Sequence, residues 1–326
     1  MSTLLSLRDH ACEKGNFISL EDYTTYAQRY LDFIGDPQSV QAIIVSQNEP
    51  HYQFLQYKED GAFSVTRPLN SRLLYTAADF ARALPRFRSL LESGRNAHPT
   101  PSDRELINRG IYTIQQAIGA ALDALPGTRS NTARKINGDL FERLIHLVIC
   151  AQGVDCTEGT VYIPVRVPGV AEFNMRFQHD LIIKTGDLVK VIGSVKTSSK
   201  DRLGKIFVDK FLLYRMTGKD VPHVAIFLND VQRKGSLPRF GINSTFLSGH
   251  FKGYTVKLNP LDGVYYCDIR PNMLTENILR DHIRTFDHFL FDDLWELTNR
   301  DAIAAAVIRD EPTEPNDASG NTPFLL

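Results

Sequence analysis

The chain is poor in cysteine. Only Cys12, Cys150, Cys156 and Cys267 occur in 326 residues. None belongs to a CxxC pair or stands beside histidines at ligand spacing, so neither a zinc site nor a disulfide framework is indicated, and the four read as reduced thiols, mostly buried. No run approaches the roughly 18 to 20 apolar residues that a bilayer span needs. The first fifteen residues mix acids with bases and lack an apolar signal core, which places the expected protein in the cytoplasm. Neither sign of charge is in surplus: 37 basic against 38 acidic residues leave a net charge of -1. That balance excludes a nonspecific polycation of the histone-like kind.

What is present is a globular composition, with 43% hydrophobic and 23% charged residues, 21 glycines and 16 prolines. The length allows one large domain or two modest ones. Charge is polarised along the chain. Between Lys184 and Lys219 nine bases face three acids, whereas from Asp301 to Leu326 one base faces five acids.

Periodicity predicts a helix over Leu20 to Ile34 and then short β-runs at Gln41 to Ser46, Tyr52 to Tyr57 and Ala62 to Thr66. A second helix spans Ala77 to Ser93. Asn96 to Pro101 reads as a linker, so residues 1–100 form an α+β N-terminal region, 101–309 the main domain, and the acidic stretch 310–326 a disordered tail. Ser102-x-x-Glu105 is a capping box for a helix that Pro126-Gly127 stops. Thr128 to Asn137 is a basic loop, and Gly138 to Cys150 a core helix with Phe141, Leu144, Ile145 and Val148 on one face. Strands follow at Thr160 to Val167, Glu172 to Lys184 and Leu188 to Val195, the last two joined by Thr185-Gly186-Asp187. A helix over Leu203 to Met216, a buried strand over His223 to Leu228, strands at Tyr254 to Leu258 and Val264 to Ile269, and helices at Thr275 to Leu290 and Asp292 to Val307 complete the reading. The fold class is α/β (α+β), a mixed central sheet flanked by helices.

Asp180 lies at a strand centre and Lys196 ends the next strand of a hairpin, so the two side chains meet. A carboxylate beside an ammonium on adjacent strands suits metal-dependent phosphodiester hydrolysis, in which acids hold a divalent cation and the ammonium positions water and offsets phosphate charge. Asp209, thirteen residues beyond Lys196, sits on the following helix. Glu142 interrupts the apolar face of the core helix, where an unpaired carboxylate costs several kcal/mol unless a metal or partner satisfies it. A salt bridge to Arg143 or Arg134 is the competing explanation for Glu142.

Asp180, then Ser194-x-Lys196, then twelve residues and an acid, resembles the permuted PD-(D/E)xK signature of type II restriction endonucleases that cut CCGG or CC-GG sites, the group that includes NgoMIV and EcoRII. Gly138-x-x-Phe141-Glu142 is similar to the superfamily's core helix. Lys200-Asp201-Arg202 resembles the triplet with which this group reads C:G pairs, and the chemistry agrees, since Lys or Arg donates to guanine while Asp accepts from the cytosine amine. His179 stands where the superfamily name has Pro, and Asp209 where these enzymes usually have Glu.

The resemblance implies a PD-(D/E)xK nuclease domain with Mg²⁺ as cofactor. It casts Asp180 and Asp209 as metal ligands, Glu142 as an assisting acid or the ligand of a second ion, and Lys196 as the catalytic group that orients the attacking water. Arg134, Lys135, Ser198 and Ser199 are candidates for the DNA backbone. The implied partners are double-stranded DNA, a second copy in a homodimer or tetramer, and a cognate DNA methyltransferase in the same host. The implied activity is site-specific double-strand cleavage at a palindrome containing CC and GG, leaving 5′-phosphate ends. Another PD-(D/E)xK nuclease of repair or Mrr-like defence, or a non-catalytic DNA-binding protein on the same scaffold, is the alternative.

Overall fold

Thr3, Ser19, Thr76 and Thr100 each accept a backbone N–H from the first turn of a helix, and these caps open α1 (Leu4–Cys12), α2 (Leu20–Gly35), α3 (Ala77–Glu92) and α4 (Pro101–Leu122). The computed structural model describes residues 2–58, 65–200, 202–236 and 239–300, with the backbone alone at 303–304 and 308–309. The start of α4 corrects the expected Ser102/Glu105 box. Pro101 takes the first helical position, where a missing N–H costs nothing, so the box is formed by Thr100 and Asp103. Arg86 grips that Asp103 at 2.7 Å.

Between α2 and α3 runs a small antiparallel sheet of β1 (Val40–Val45), β2 (Tyr52–Tyr57) and β3 (Leu69–Asn70). The third β-run expected over 62–66 lies largely outside the described residues, and only Val65 bridges to Gln56. After α4 the chain turns into α5 (Ser130–Ala151), then β4 (Asp155–Val165), β5 (Phe173–Thr185), β6 (Leu188–Ser198), α6 (Leu203–Thr217), β7 (His223–Asn229), β8 (Val231–Ser236), β9 (Arg239–Ser244), α7 (Ser248–Lys257), β10 (Gly263–Tyr266) and β11 (Ile283–Thr285). The expected loop over 128–137 is therefore mostly helix. Ala133, Ile136 and Asn137 are buried at the same three-and-four spacing that continues through Leu140 and Leu144.

The main sheet runs β11-β10-β7-β6-β5-β4, parallel from β11 to β6 and antiparallel from β6 to β4. This is the mixed sheet the sequence implied. Each residue of β7 is buried, as befits a central strand covered on both faces. On one face Leu181, Ile183, Val191, Val195, Val224 and Ile226 join α4 and α5 in a core that extends back to Leu4. On the other, α6 and α7 cover Ile182, Ile192, Ala225 and Phe227.

Other expectations fail for physical reasons. The strand predicted over 254–258 is the end of α7, because Phe251 and Tyr254, three apart, both pack on Phe207 with ring centroids 5.7 and 5.5 Å away. The helix predicted over 275–290 is broken by β11, whose Ile283 pairs with Val264. The helix predicted over 292–307 holds only to Leu297, and beyond it Ile303–Ala304 pairs with β6 and Ile308–Arg309 with β4. Of the four free cysteines only Cys267 is fully buried. The predicted tail over 310–326 lies outside the described residues.

The N-terminal layer is tied to the main sheet by polar contacts as well as by the core. Tyr23 Oη donates to the Leu140 carbonyl at 2.8 Å. Asp268, beyond the end of β10, accepts from Tyr52 Oη and Asn70 Nδ2, each at 2.9 Å. No described helix is long and apolar enough to cross a membrane.

Candidate active site

The hairpin of β5 and β6 stops pairing at Leu181 and Gly193, and before Leu181 on β5 and after Gly193 on β6 the two strands part. On its other edge β5 takes three steps, His179 to Ile182, while β4 takes two, Gly159 to Thr157. This is a β-bulge, which inserts an extra residue and re-aims a side chain. Asp180 lies within it. Where the ladder ends, the Val195 amide is left without a backbone partner on β5, and it donates instead to Asp180 Oδ2 at 3.0 Å.

Into the same fork α5 projects Glu142. Lys196 Nζ lies 2.7 Å from Asp180 Oδ2 and 2.7 Å from Glu142 Oε1. One ammonium is thus held between two carboxylates from a strand and a helix. Side-chain exposures of 16, 17 and 27% for Asp180, Glu142 and Lys196 leave the group mostly dry yet reachable from outside. The salt bridge of Glu142 to Arg143 or Arg134 does not form. Arg143 donates to the Lys14 and Phe17 carbonyls, and Arg134 faces Asn131.

The electrostatics follow from this crowding. Burial, and then the neighbouring Asp180, push the Glu142 carboxyl up to about 7 despite the attraction of Lys196. Burial also works against the charge of Lys196, but Asp180 and Glu142 outweigh it and hold the ammonium above its ordinary pKa.

His146, one helical turn beyond Glu142, hydrogen-bonds through Nε2 to the Asp180 carbonyl. A carbonyl can only accept, so this nitrogen carries the proton. The sequence reading gave His146 no role, although its spacing of four from Glu142 sets both on one face of α5. His179 turns to the opposite face of the sheet, stacked on Phe177 and edge-on to His223. Burial lowers its pKa to about 4, so it is neutral at physiological pH.

Asp209 does not join this group among the described residues. Its carboxylate is paired with Lys205 one turn earlier on α6. No set of three or more His, Cys, Asp or Glu side chains stands at metal-holding distance among the described residues. Asp180 and Glu142 nevertheless fit a hard divalent cation, which takes oxygen donors and is commonly bound through one or two carboxylates with water completing the shell. Lys196 now supplies the positive charge between them.

Lys200 and Arg202 are exposed at the turn into α6, while Asp201 lies outside the described residues. Lys200 Nζ reaches Gln232 Oε1 at 3.4 Å. Ser198 and Ser199 both direct their hydroxyls to Thr245 Oγ1 at 3.3 Å. Ser199 is buried, which takes it off the surface that the sequence assigned to it. Arg134 and Lys135 stand exposed on the first turns of α5, on a helix instead of a mobile loop.

No protein-family model matches the chain, and no curated protein is similar enough to match. Among solved structures the chain is similar to the type IIP restriction endonuclease Kpn2I, with a TM-score of 0.67 and 19% identity over 91% of this chain and 97% of that one. A complex of the restriction endonuclease PspGI with substrate DNA aligns over 67% of this chain and 91% of that one, at 12% identity and a TM-score of 0.39. With its mixed sheet, flanking helices and forked hairpin, the chain has a restriction-endonuclease fold.

Proposed function

We propose that the protein is a Mg²⁺-dependent type II restriction endonuclease that cleaves both strands of DNA at a palindromic site containing CC and GG and leaves 5′-phosphate ends. The observation that carries this reading is the Lys196 ammonium held 2.7 Å from both Asp180 and Glu142 at the opening of the β5/β6 fork. When bound, Mg²⁺ would supply Lewis-acid stabilisation of phosphate charge and a more acidic water. Asp180 and Glu142 would hold it, with Lys196 moving from the carboxylates to the attacking water and the phosphate oxygens. Asp209 is retained as the third acid, since its partner Lys205, four residues earlier, is 67% exposed and can leave the carboxylate for solvent.

Lys200, Asp201 and Arg202 would read C:G pairs, and Arg134, Lys135 and Ser198 would contact phosphates. A palindrome asks for a symmetric reader, so a homodimer or a tetramer of dimers is expected, with a methyltransferase protecting the host site. The test is incubation of the purified protein with phage λ DNA in Mg²⁺ and in EDTA, beside Lys196→Ala. Discrete Mg²⁺-dependent fragments that vanish in the variant and end within CC/GG sites are the expected result. A smear would point to a nuclease of broad specificity, and intact DNA with no gel shift in Ca²⁺ would remove the nuclease reading.

A further inference from the structure

Between Val231 and Ser244 the chain holds three bases and no acid. That stretch is the β8–β9 hairpin, a two-stranded ribbon that belongs to neither larger sheet. Its register pairs Val231 with Ser244, Arg233 with Ile242 and Gly235 with Phe240, and the intervening pairs are Gln232 with Asn243, Lys234 with Gly241 and Ser236 with Arg239. Because side chains alternate along a strand, the first set shares one face and the second set the other.

The first face is fully committed. Val231, Phe240 and Ile242 pack on Tyr52 and Phe54 of the N-terminal sheet. Asn48 brackets Ile242, accepting from its amide and donating to its carbonyl, both at 2.9 Å, and Gln47 N donates to the Phe240 carbonyl at 3.0 Å. Arg233 donates to the Val65 carbonyl at 2.9 Å. An isolated two-stranded hairpin is marginal in water, so this anchoring makes the ribbon a rigid mount.

The second face carries Gln232, Lys234, Ser236, Arg239 and Asn243. Lys234 and Arg239 are exposed and have no hydrogen-bond or ion-pair partner among the described residues. Among the described residues the acids Asp230 and Glu49 do not offset them: Asp230 is buried and bound by Ser244 at 2.6 Å, and Glu49 is taken by Arg270 at 2.8 Å. Gln232 touches Lys200, which links this face to the turn that leaves the active-site strand.

We infer that the β8–β9 ribbon is a second DNA-contacting element, which lies along the duplex with Lys234 and Arg239 on phosphates and the opposed amides of Gln232 and Asn243 towards a groove edge. The inference rests on the nuclease reading and adds to it a surface outside the catalytic strand and its triplet. A two-stranded ribbon fits the major groove, which is about 12 Å wide, and side-chain amides both donate and accept there. Positive charge with no acid paired to it among the described residues is the complement of a phosphate backbone.

The test measures binding of a duplex carrying the cleavage site, in Ca²⁺, across a salt series. Lys234→Ala/Arg239→Ala should weaken binding on all sequences alike and flatten the slope of log affinity against log salt by about 2, roughly one for each lost phosphate contact. Gln232→Ala/Asn243→Ala should leave that slope in place and reduce discrimination between duplexes that differ in one base pair of the site. Arg82→Ala, an exposed base on α3, serves as the charge control and should change neither quantity. Unchanged melting temperatures would establish that the surface variants fold. A wild-type slope in the Lys234/Arg239 variant of a protein that cuts DNA would overturn the ribbon's role and leave the nuclease reading standing. Failure of the wild type itself to bind or cut would instead bring down the nuclease reading, and the ribbon's role with it.

Discussion

Replacing Glu142 by Gln should make the metal-free protein more stable at alkaline pH while removing a proposed metal ligand. The Glu142 carboxyl is raised from 4.5 to about 7 in the fold. An acid with a raised pKa binds its proton more tightly folded than unfolded, so stability is highest below the unfolded value and falls as pH rises from 4.5 to 7. A shift of about 2.5 units corresponds to roughly 3 kcal/mol lost in full above pH 7. Gln keeps the shape and never ionises, so the variant escapes that loss, less a constant amount for the partner that Lys196 gives up. For a chain of this size each kcal/mol moves the melting temperature by roughly 1 to 2 °C. Calorimetry in EDTA should therefore show the variant's melting temperature, relative to wild type, to be roughly 2 to 5 °C higher at pH 8 than at pH 5. A difference that stays constant with pH, or that is larger at pH 5, would refute the argument that Glu142 is held in a strained, ionisable state.

Three further outcomes are expected. Lys210 is 3% exposed and sits 2.7 Å from both the Asp262 carboxylate and the Pro260 carbonyl, so Lys210→Met should cost about 3 kcal/mol in urea unfolding, the lower end for a broken buried pair because Arg300 still reaches Asp262. At Gly193 a Cβ would come within 2.7 Å of the Val224 carbonyl oxygen, and Gly193→Ala should destabilise by about 1–3 kcal/mol as β6 is pushed off β7, read by the same denaturant titration. On the proposed reading His146→Ala frees the Asp180 carbonyl and should raise the Mg²⁺ concentration for half-maximal cleavage, while His146→Gln, which keeps a donor, restores it. Equal Mg²⁺ curves for both variants and wild type would show that His146 does not position Asp180.

The elements that build the site were legible because each has one dominant local signal. The turn Thr185-Gly186-Asp187 announced the β5/β6 hairpin, and Gly186 does take a positive φ of 57° there. Phe141, Leu144, Ile145 and Val148 announced α5, and the hairpin itself brought Asp180 and Lys196 to neighbouring strands. The bulge that aims Asp180 was not legible, since nothing in Gln178-His179-Asp180 distinguishes a bulged from a regular strand. Glu142 divided evenly between an arginine partner and the site, and only the crossing of α5 over the fork decides it. The β8–β9 ribbon escaped notice because one of its faces is wholly polar and its apolar face holds only Val231, Phe240 and Ile242, too few to stand out as alternation. Asp209 differs again: its distance from Lys196 along the chain matches the pattern, but which partner a helical side chain meets depends on helix rotation, and here the carboxylate pairs with Lys205.

The bonds that Asp268 accepts from Tyr52 and Asn70 join residues 216 and 198 positions apart. Burial pushes its carboxyl up to about 7, so this acid becomes a tolerable interior group only once both donors are in place. During synthesis at about 5–20 residues per second, Tyr52 and Asn70 leave the ribosome roughly 10 to 40 s before Asp268 does. Throughout that interval Tyr52 and Asn70 lack the carboxylate that their donors hold in the fold. A sheet made early must wait for an acid made late, and these two parts of the chain are joined through it only then.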